Sequence, residues 1–354
     1  MPRLGSTIAR LTALRKGATP ASHGPSRLTE TAFSPNPGAL VAKTYIPASL
    51  KPGAPLVVVL HGCTQDAAVY DRGSGWSQLA DRHGFAVLYP EQERGNNFNL
   101  CFNWYQAADA RRGRGEASSI AHMIRDVTTA HQLDPERVFI NGLSAGGAMT
   151  MVMLACYPEL FAGGAVIAGL PFAVAEGVQD ALEAMRGGSL PSRFVLASSI
   201  AKASDHRGPW PSLSVWHGTA DHVVSSANAG AIVDQWRDRI GLGTVEGQRN
   251  IVDGQRRTVW RDSTGKIAVE RYDIAGMGHG TPLATRGGEA CGQAGPHMLE
   301  AGICSTSRLA ERWGIATGAG APRQATPPVA RHAPAATGVG AVIEDALRAA
   351  GLMR

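Results

Sequence analysis

The segment at residues 138–149 constrains this chain more than any other. β-Branched and aromatic residues at 138–140 lead into Gly-x-Ser-x-Gly at 142–146, and small and apolar residues of helical composition follow at once. This order predicts a strand, a tight turn and a helix, which form a nucleophile elbow with Ser144 at the turn. Glycines are needed on both sides because the turn strains the backbone and presses the strand against the helix, where a Cβ would collide.

Ser144 is therefore predicted to be a nucleophile at the N-terminus of a helix. Free N–H groups and the positive end of the helix dipole favour a developing negative charge there. The short pattern also arises by chance in a chain with 43 glycines. A plain glycine-rich turn is the alternative interpretation.

Length and charge exclude several classes of protein. The 354 residues suffice for one large α/β domain with extensions, or for two small domains. No apolar run approaches the roughly 18 residues of a membrane span. The net charge of +5 comes from dispersed arginines, without the basic stripe interleaved with aromatic residues that a nucleic-acid surface needs. We expect neither a membrane span nor a nucleic-acid partner.

The cysteines and the N-terminus bear on metals and export. The five cysteines form no CxxC pair and no His/Cys cluster with zinc spacing, so the sequence predicts no metal site. Arginines interrupt each apolar run within residues 1–16, so these residues predict no secretory signal peptide.

Strands and helices alternate along the chain. Besides the elbow strand, apolar runs predict strands at 42–46, 56–60, 85–89, 165–168 and 213–216. Helical composition predicts helices at 67–83, 118–131 and 227–240. Two runs that alternate in polarity, 257–261 and 267–274, predict a hairpin. This alternation favours a mainly parallel sheet with helices on both faces.

Composition divides the chain into four segments. We expect a poorly ordered N-terminal extension at 1–38, a catalytic domain at 39–316, an Ala/Pro/Gly-rich linker at 317–338 and a short amphipathic helix at 339–354. The last helix is interpreted as docking on its own domain, with a separate binding tail as the alternative.

Two long connecting segments are candidates for shaping a substrate pocket. The polar loop 92–115 is long for a compact domain, and loops of this length are usually functional or disordered. Its aromatic residues argue against disorder. A mixed insertion at 172–204 is the second such segment.

A serine nucleophile needs a histidine as base and a carboxylate that orients the histidine. After an elbow of this kind, the acid and then the histidine follow along the chain, on loops after later strands. Asp221 follows the strand at 213–216, although it also suits a helix cap or a turn. His279, flanked by glycines, follows the strand that ends near residue 274; its competitor His297 lies farther from any strand end.

Two backbone N–H groups should stabilise the oxyanion of the tetrahedral intermediate. Ala145, the residue after the nucleophile, supplies one of them. The other comes from a loop after an early strand. Cys63 lies in the turn after the strand at 56–60, so we assign the second N–H to Cys63. Each such donor is typically worth about 100- to 1000-fold in rate.

Six short motifs occur together in one order. They are Leu-His-Gly-Cys-Thr-Gln at 60–65, Gly-Trp at 75–76, Phe-Asn-Trp at 102–104, Gly-Leu-Ser-Ala-Gly-Gly at 142–147, His-Gly-Thr-Ala-Asp at 217–221 and Gly-Met-Gly-His-Gly at 276–280. From about residue 40 to 314 the chain thereby resembles the esterases of the polyhydroxybutyrate (PHB) depolymerase family. The set is far more specific than any one motif.

The resemblance implies an α/β-hydrolase fold and hydrolysis of carboxylic esters without a cofactor. The triad it implies is the one already assigned: Ser144, Asp221 and His279. The implied substrates are short-chain polyhydroxyalkanoates, or plant polysaccharides that carry feruloyl or acetyl groups. A serine peptidase of the same fold and a non-catalytic protein that binds polyesters or granules remain as alternatives. The oligomeric state stays open.

The resemblance also bears on the cysteines, the aromatic residues and the compartment. It suggests disulfides between Cys63 and Cys101 and between Cys291 and Cys304, with reduced thiols as the alternative. Trp76, Trp104 and Tyr105 are candidates for an aromatic wall along the acyl chain, although Trp76 suits a core position equally well. The resemblance implies an extracellular or periplasmic location, and a cytoplasmic location is the alternative because residues 1–16 predict no signal peptide.

Overall fold

The structure is a computed structural model that describes residues 26–188, 190–287 and 290–316. The strands are β1 Thr29–Thr31, β2 Val41–Tyr45, β3 Leu56–Leu60, β4 Ala86–Glu91, β5 Val138–Leu143, β6 Gly163–Ile167, β7 Ser212–Gly218, β8 Gln248–Val252, β9 Gln255–Arg261, β10 Ile267–Ile274, β11 Thr281–Leu283 and β12 Met298–Glu300. The α-helices are α1 Ala67–Ser74, α2 Trp76–His83, α3 Gly115–Ala130, α4 Ala145–Cys156, α5 Val178–Met185, α6 Arg193–Ala203, α7 Ala227–Arg239 and α8 Ser305–Arg312.

Ten of these strands form one sheet in the order β1-β2-β4-β3-β5-β6-β7-β10-β9-β8. The six strands from β4 to β10 in this order pair in parallel, and the outer strands on both sides are antiparallel. The carboxyl ends of parallel strands meet at one edge of a sheet, where open α/β sheets bind their ligands. The loops after β3, β5, β7 and β10 therefore share one edge.

Two hydrophobic cores cover the two faces of the sheet. Along β3, Leu56, Val58 and Leu60 belong to the core under α3, α4 and α7, whereas Val57 and Val59 face the core under α1, α2 and α8. All five side chains are inaccessible to solvent. The sequence of this strand is apolar throughout because both of its faces are buried. The predicted parallel sheet with helices on both faces is confirmed.

Two predicted boundaries are wrong. The helix predicted at 67–83 is two helices, because Gly75 takes a left-handed conformation with φ of 76° and ends α1. A Cβ at Gly75 would lie 2.6 Å from the backbone nitrogen of Gly292, so only glycine fits. The domain begins before residue 39, because β1 lies inside the segment predicted to be poorly ordered and pairs with β2 of the sheet.

Other expectations lie outside the described residues. These are the remainder of the N-terminal extension, 1–25, the linker at 317–338 and the helix at 339–354. Of the helices in the described ranges, none combines the length and the apolar character needed to cross a bilayer.

Candidate active site

Ser144 lies at the turn between β5 and α4, with φ of 57° and ψ of −117°. Its N–H donates to the carbonyl oxygen of Ile167 across 2.9 Å, which ties the strained turn to the neighbouring strand. A Cβ at Gly142 would lie 2.3 Å from the oxygen of Gly146, and a Cβ at Gly146 would lie 2.3 Å from the oxygen of Leu60. Both glycines of the motif are therefore required by close backbone contacts.

Asp221 and His279 meet at the same edge of the sheet, on the loops after β7 and β10. The Nδ1 of His279 lies 2.8 Å from Oδ2 of Asp221, and Oδ1 of Asp221 accepts the N–H groups of Val223 and Val224 at 2.9 Å each. The two loops touch directly, since the N–H of Ala220 donates to the oxygen of Met277 at 3.0 Å.

The surroundings of Asp221 favour its ionised form. Burial by itself would raise the pKa of this carboxyl, but the hydrogen bond and charge of His279 and the N–H of Val224 outweigh it, so the pKa lies below its usual value. An ionised Asp221 holds the proton of the imidazole on Nδ1 and leaves a lone pair on Nε2. A ring in this tautomer can act as a general base.

Ser144 and His279 are not joined by a hydrogen bond as Asp221 and His279 are. The structure shows no hydrogen bond between the Ser144 hydroxyl and the imidazole, although both lie at one sheet edge. Catalytic hydrogen bonds are often long in unliganded enzymes and tighten when substrate binds. Asp221 and His279 are thus paired directly, and Ser144 lies at the same sheet edge without a hydrogen bond to either.

The competing histidine, His297, supports the loop of His279. Its Nδ1 lies 3.2 Å from the carbonyl oxygen of His279, and the two rings are perpendicular with centroids 5.8 Å apart. Burial lowers the pKa of His297, which keeps the ring neutral at neutral pH. His297 contacts the backbone of His279 and not the carboxylate, so its position does not suit it as the base.

The loop after β3 lies against the first turn of α4. A Cβ at Gly146 would be 2.5 Å from the carbonyl oxygen of His61, so the backbones are in contact. Among the described residues, none accepts a hydrogen bond from the N–H of Cys63 or of Ala145. Two unpaired backbone donors on neighbouring segments fit an oxyanion hole.

Comparison with known proteins identifies the family of this fold and site. The family model described as esterase PHB depolymerase matches residues 41–259. Poly(3-hydroxyalkanoate) depolymerase C of Paucimonas lemoignei is 41% identical over 288 residues, which cover 80% of this chain and 69% of that protein. The chain belongs to the PHB depolymerase family of esterases. The predicted resemblance is confirmed.

More distant relatives agree with the family and the fold. Feruloyl esterase B of Talaromyces funiculosus is 30% identical over 259 residues, which cover 71% of this chain and 72% of that protein. The structure of an acetyl xylan esterase from Aspergillus awamori superposes with a TM-score of 0.68 at 24% identity, covering 82% of this chain and 99% of that one. This PHB depolymerase family member has the predicted α/β-hydrolase fold and is a carboxylic ester hydrolase.

Both disulfides suggested by the resemblance are present in the structure of this esterase. Cys63 is bonded to Cys101, which joins the loop after β3 to the aromatic loop, and Cys291 is bonded to Cys304. Cys156 is a buried free cysteine, and burial raises the pKa of its thiol to about 12. A thiol that stays protonated at neutral pH is a poor nucleophile.

The aromatic candidates separate into two groups. Trp104 and Tyr105 lie edge to face, 5.4 Å apart, on the face of the sheet that carries α4, and Tyr105 is half-buried. Trp76 lies in the opposite core, only 1% exposed, stacked on Trp313 at 5.8 Å and against the edge of Phe85. The ring of Trp76 is enclosed by core side chains, which is the core alternative for this residue and leaves no surface for substrate.

No metal site is evident in the described part of this esterase, where no three His, Cys, Asp or Glu side chains are placed to hold an ion.

Proposed function

We propose that Ser144, His279 and Asp221 hydrolyse carboxylic esters through an acyl-enzyme. The observation that carries this assignment is the 2.8 Å hydrogen bond between Asp221 and Nδ1 of His279, at the sheet edge where the strained elbow presents Ser144. Membership of an esterase family agrees with it.

In the first half of the reaction, Nε2 of His279 takes the proton of the Ser144 hydroxyl while the oxygen attacks the acyl carbon. The former carbonyl oxygen becomes negative and accepts the N–H groups of Cys63 and Ala145. The intermediate then collapses, the bond to the alcohol breaks, and His279 returns the proton to the leaving oxygen.

In the second half, His279 takes a proton from water, whose oxygen attacks the acyl carbon of the Ser144 ester. A second oxyanion forms in the same place and collapses. The carboxylic acid leaves, and the proton on Nε2 returns to Ser144. Asp221 remains ionised throughout and stabilises the imidazolium that forms in each half.

For the substrate we propose esters of short hydroxyalkanoic acids, as in polyhydroxyalkanoates. This choice rests on the 41% identity to a protein named as a poly(3-hydroxyalkanoate) depolymerase, compared with about 30% to feruloyl and acetylxylan esterases. Tyr105, half-buried beside Trp104 on the aromatic loop, supplies apolar surface for an acyl chain.

Labelling with a fluorophosphonate and a substrate panel tests the proposal. The unmodified protein should label, Ser144→Ala should not, and the matched control Ser198→Ala on α6 should label normally. Among p-nitrophenyl butyrate, methyl ferulate, acetylated xylan and hydroxybutyrate oligomers, the oligomers should give the highest kcat/KM. An unlabelled native protein would favour a binding role, and faster cleavage of peptide anilides would favour a peptidase.

A further inference from the structure

The direction of the Cys63 N–H depends on the orientation of one peptide group. The carbonyl oxygen of Gly62 lies 2.8 Å from Nδ1 of His61 and also accepts the N–H of Gln65 at 3.3 Å. The Gly62–Cys63 peptide is not among the cis bonds of the described chain, and in a trans peptide the C=O and the following N–H point in opposite directions. Holding the Gly62 oxygen therefore aims the Cys63 N–H away from His61.

The tautomer of His61 follows from its second contact. The backbone N–H of Gln92 lies 3.1 Å from Nε2 of His61, and a backbone N–H can only donate. Nε2 therefore carries the lone pair, and the proton of the neutral ring is on Nδ1, where it faces the Gly62 oxygen. The ring is 1% exposed, and burial lowers its pKa, so it stays neutral.

Gln92 is in turn held by a buried carboxyl group. Its side-chain nitrogen donates to Oε1 of Glu116 at 2.6 Å and to the oxygen of Cys101 at 3.0 Å. Glu116 is inaccessible to solvent and also accepts the backbone N–H and the side-chain amide of Asn103, at 2.8 and 2.7 Å. One carboxyl thus joins the end of β4, the disulfide-linked loop and the start of α3.

We propose that Glu116, Gln92 and His61 form a buried relay that fixes the direction of the Cys63 N–H, with Glu116 and His61 as positioning residues of the ester hydrolysis. The inference rests on the proposed function, because it assigns Cys63 to the oxyanion hole. The Cys63 N–H stabilises the negative oxygen of the transition state more than the neutral carbonyl of the bound ester. Loss of the relay should therefore lower kcat and leave KM nearly unchanged.

Asp71 provides a matched control for a purely structural role. It carries a second buried carboxyl group, 2% exposed, on α1 against the opposite face of the sheet. It accepts the N–H and hydroxyl of Ser77 and the hydroxyl of Tyr89, at 2.9, 2.7 and 2.5 Å. Its loss should reduce stability without changing the turnover of molecules that remain folded.

The experiment compares kcat and KM per active site, counted by fluorophosphonate titration, for His61→Leu, His61→Asn, Glu116→Leu, Glu116→Gln and the control Asp71→Leu. The Leu changes at His61 and Glu116 should lower kcat by about 10- to 100-fold with KM changed by less than about threefold, since a misdirected donor loses part of what a donor contributes. His61→Asn keeps an N–H near Nδ1 and Glu116→Gln keeps an oxygen for Gln92, so both should stay within about fivefold of the native kcat.

A trifluoromethyl ketone, which forms an oxyanion on the serine, gives an independent readout. Its inhibition constant should rise in each Leu variant by the factor by which kcat/KM falls. If the Leu variants do not fold, His61→Gln replaces them: its amide lies near Nε2 and offers Gly62 no donor, so it should be at least about fivefold slower than His61→Asn.

Equal turnover of the relay variants and Asp71→Leu would overturn the inference, as would equal rates for His61→Asn and its Leu or Gln counterpart. A native protein that neither labels nor hydrolyses p-nitrophenyl butyrate would instead remove the proposed function. The two failures are therefore distinguishable.

Discussion

Replacing Asp221 by Asn should remove most of the turnover while leaving the fold in place. The Asn oxygen can still accept the N–H groups of Val223 and Val224, which now bond to Oδ1 at 2.9 Å. Its amide nitrogen, however, would face Nδ1 of His279, which lies 2.8 Å from Oδ2 in the native protein. Two donors cannot share this contact, so the imidazole must move its proton to Nε2.

A proton on Nε2 removes the lone pair that should accept the proton of Ser144. The corresponding carboxylate-to-amide change in a serine protease triad lowers kcat by about 10⁴-fold, and we expect the same order here. This factor corresponds to about 5 kcal/mol of transition-state stabilisation. The fold should tolerate the change, because two of the three hydrogen bonds of the side chain at residue 221 persist.

The assay is kcat for p-nitrophenyl butyrate, with thermal unfolding measured on the same samples. Asp273→Asn is the matched control, since Asp273 lies on β10 and pairs with Arg271 rather than with a histidine. Retention of more than about a tenth of native kcat in Asp221→Asn would refute the reasoning, because a base in the wrong tautomer cannot sustain that rate.

Three further predictions concern the disulfides, the core and pH. Protein from its native compartment should show one free thiol after unfolding, that of Cys156, and five after reduction. Replacing Cys63 and Cys101 by Ser should lower the free energy of unfolding by about 4 kcal/mol, the loop-closure value for their separation of 38 residues; five free thiols before reduction would contradict the pairing. Trp76→Ala should lower the free energy of unfolding by about 3–5 kcal/mol in denaturant titration and leave KM unchanged, because the ring is buried in the core. Tyr105→Ala should instead raise KM. A raised KM in Trp76→Ala and an unchanged KM in Tyr105→Ala would make Trp76 the substrate contact. Burial raises the pKa of Glu116 from 4.5 to about 8, although the hydrogen bonds of Asn103 and Gln92 act against this rise. The contribution of Glu116 to the free energy of unfolding is therefore complete below pH 4.5 and is lost as the pH rises to about 8. Glu116→Gln should reduce the difference between the free energies of unfolding measured at pH 5 and pH 8, and an unchanged difference would contradict this prediction.

The parts of the fold that sequence could predict are those where local pattern and burial agree. β3 is a continuous apolar run because both of its faces are covered. The elbow at Ser144 was predictable because its glycines cannot be replaced by a larger residue. Asp221 and His279 were predictable because each follows a buried strand of the parallel sheet, and such strands end at a common edge. The order of the strands in space did not enter that prediction.

The rest depends on contacts that a linear pattern does not carry. β8 was missed because four of its five residues are exposed at the sheet edge and show no apolar alternation. The sequence left Trp76 open between a substrate wall and the core, because the stacking of its ring on Trp313 is a contact between residues far apart in the chain. Glu116 resembles an ordinary acidic residue in a first helical turn, a favourable position for any carboxylate, and its burial appears only when the loop from 92 to 103 closes over it.

Mass spectrometry of the protein mixed with p-nitrophenyl butyrate and quenched during turnover tests the central claim most directly. We predict a butyryl adduct on the peptide that carries Ser144, absent from Ser144→Ala, which should also lose turnover by up to about a millionfold. An adduct on another residue, or continued hydrolysis by Ser144→Ala at the native rate, would contradict the account.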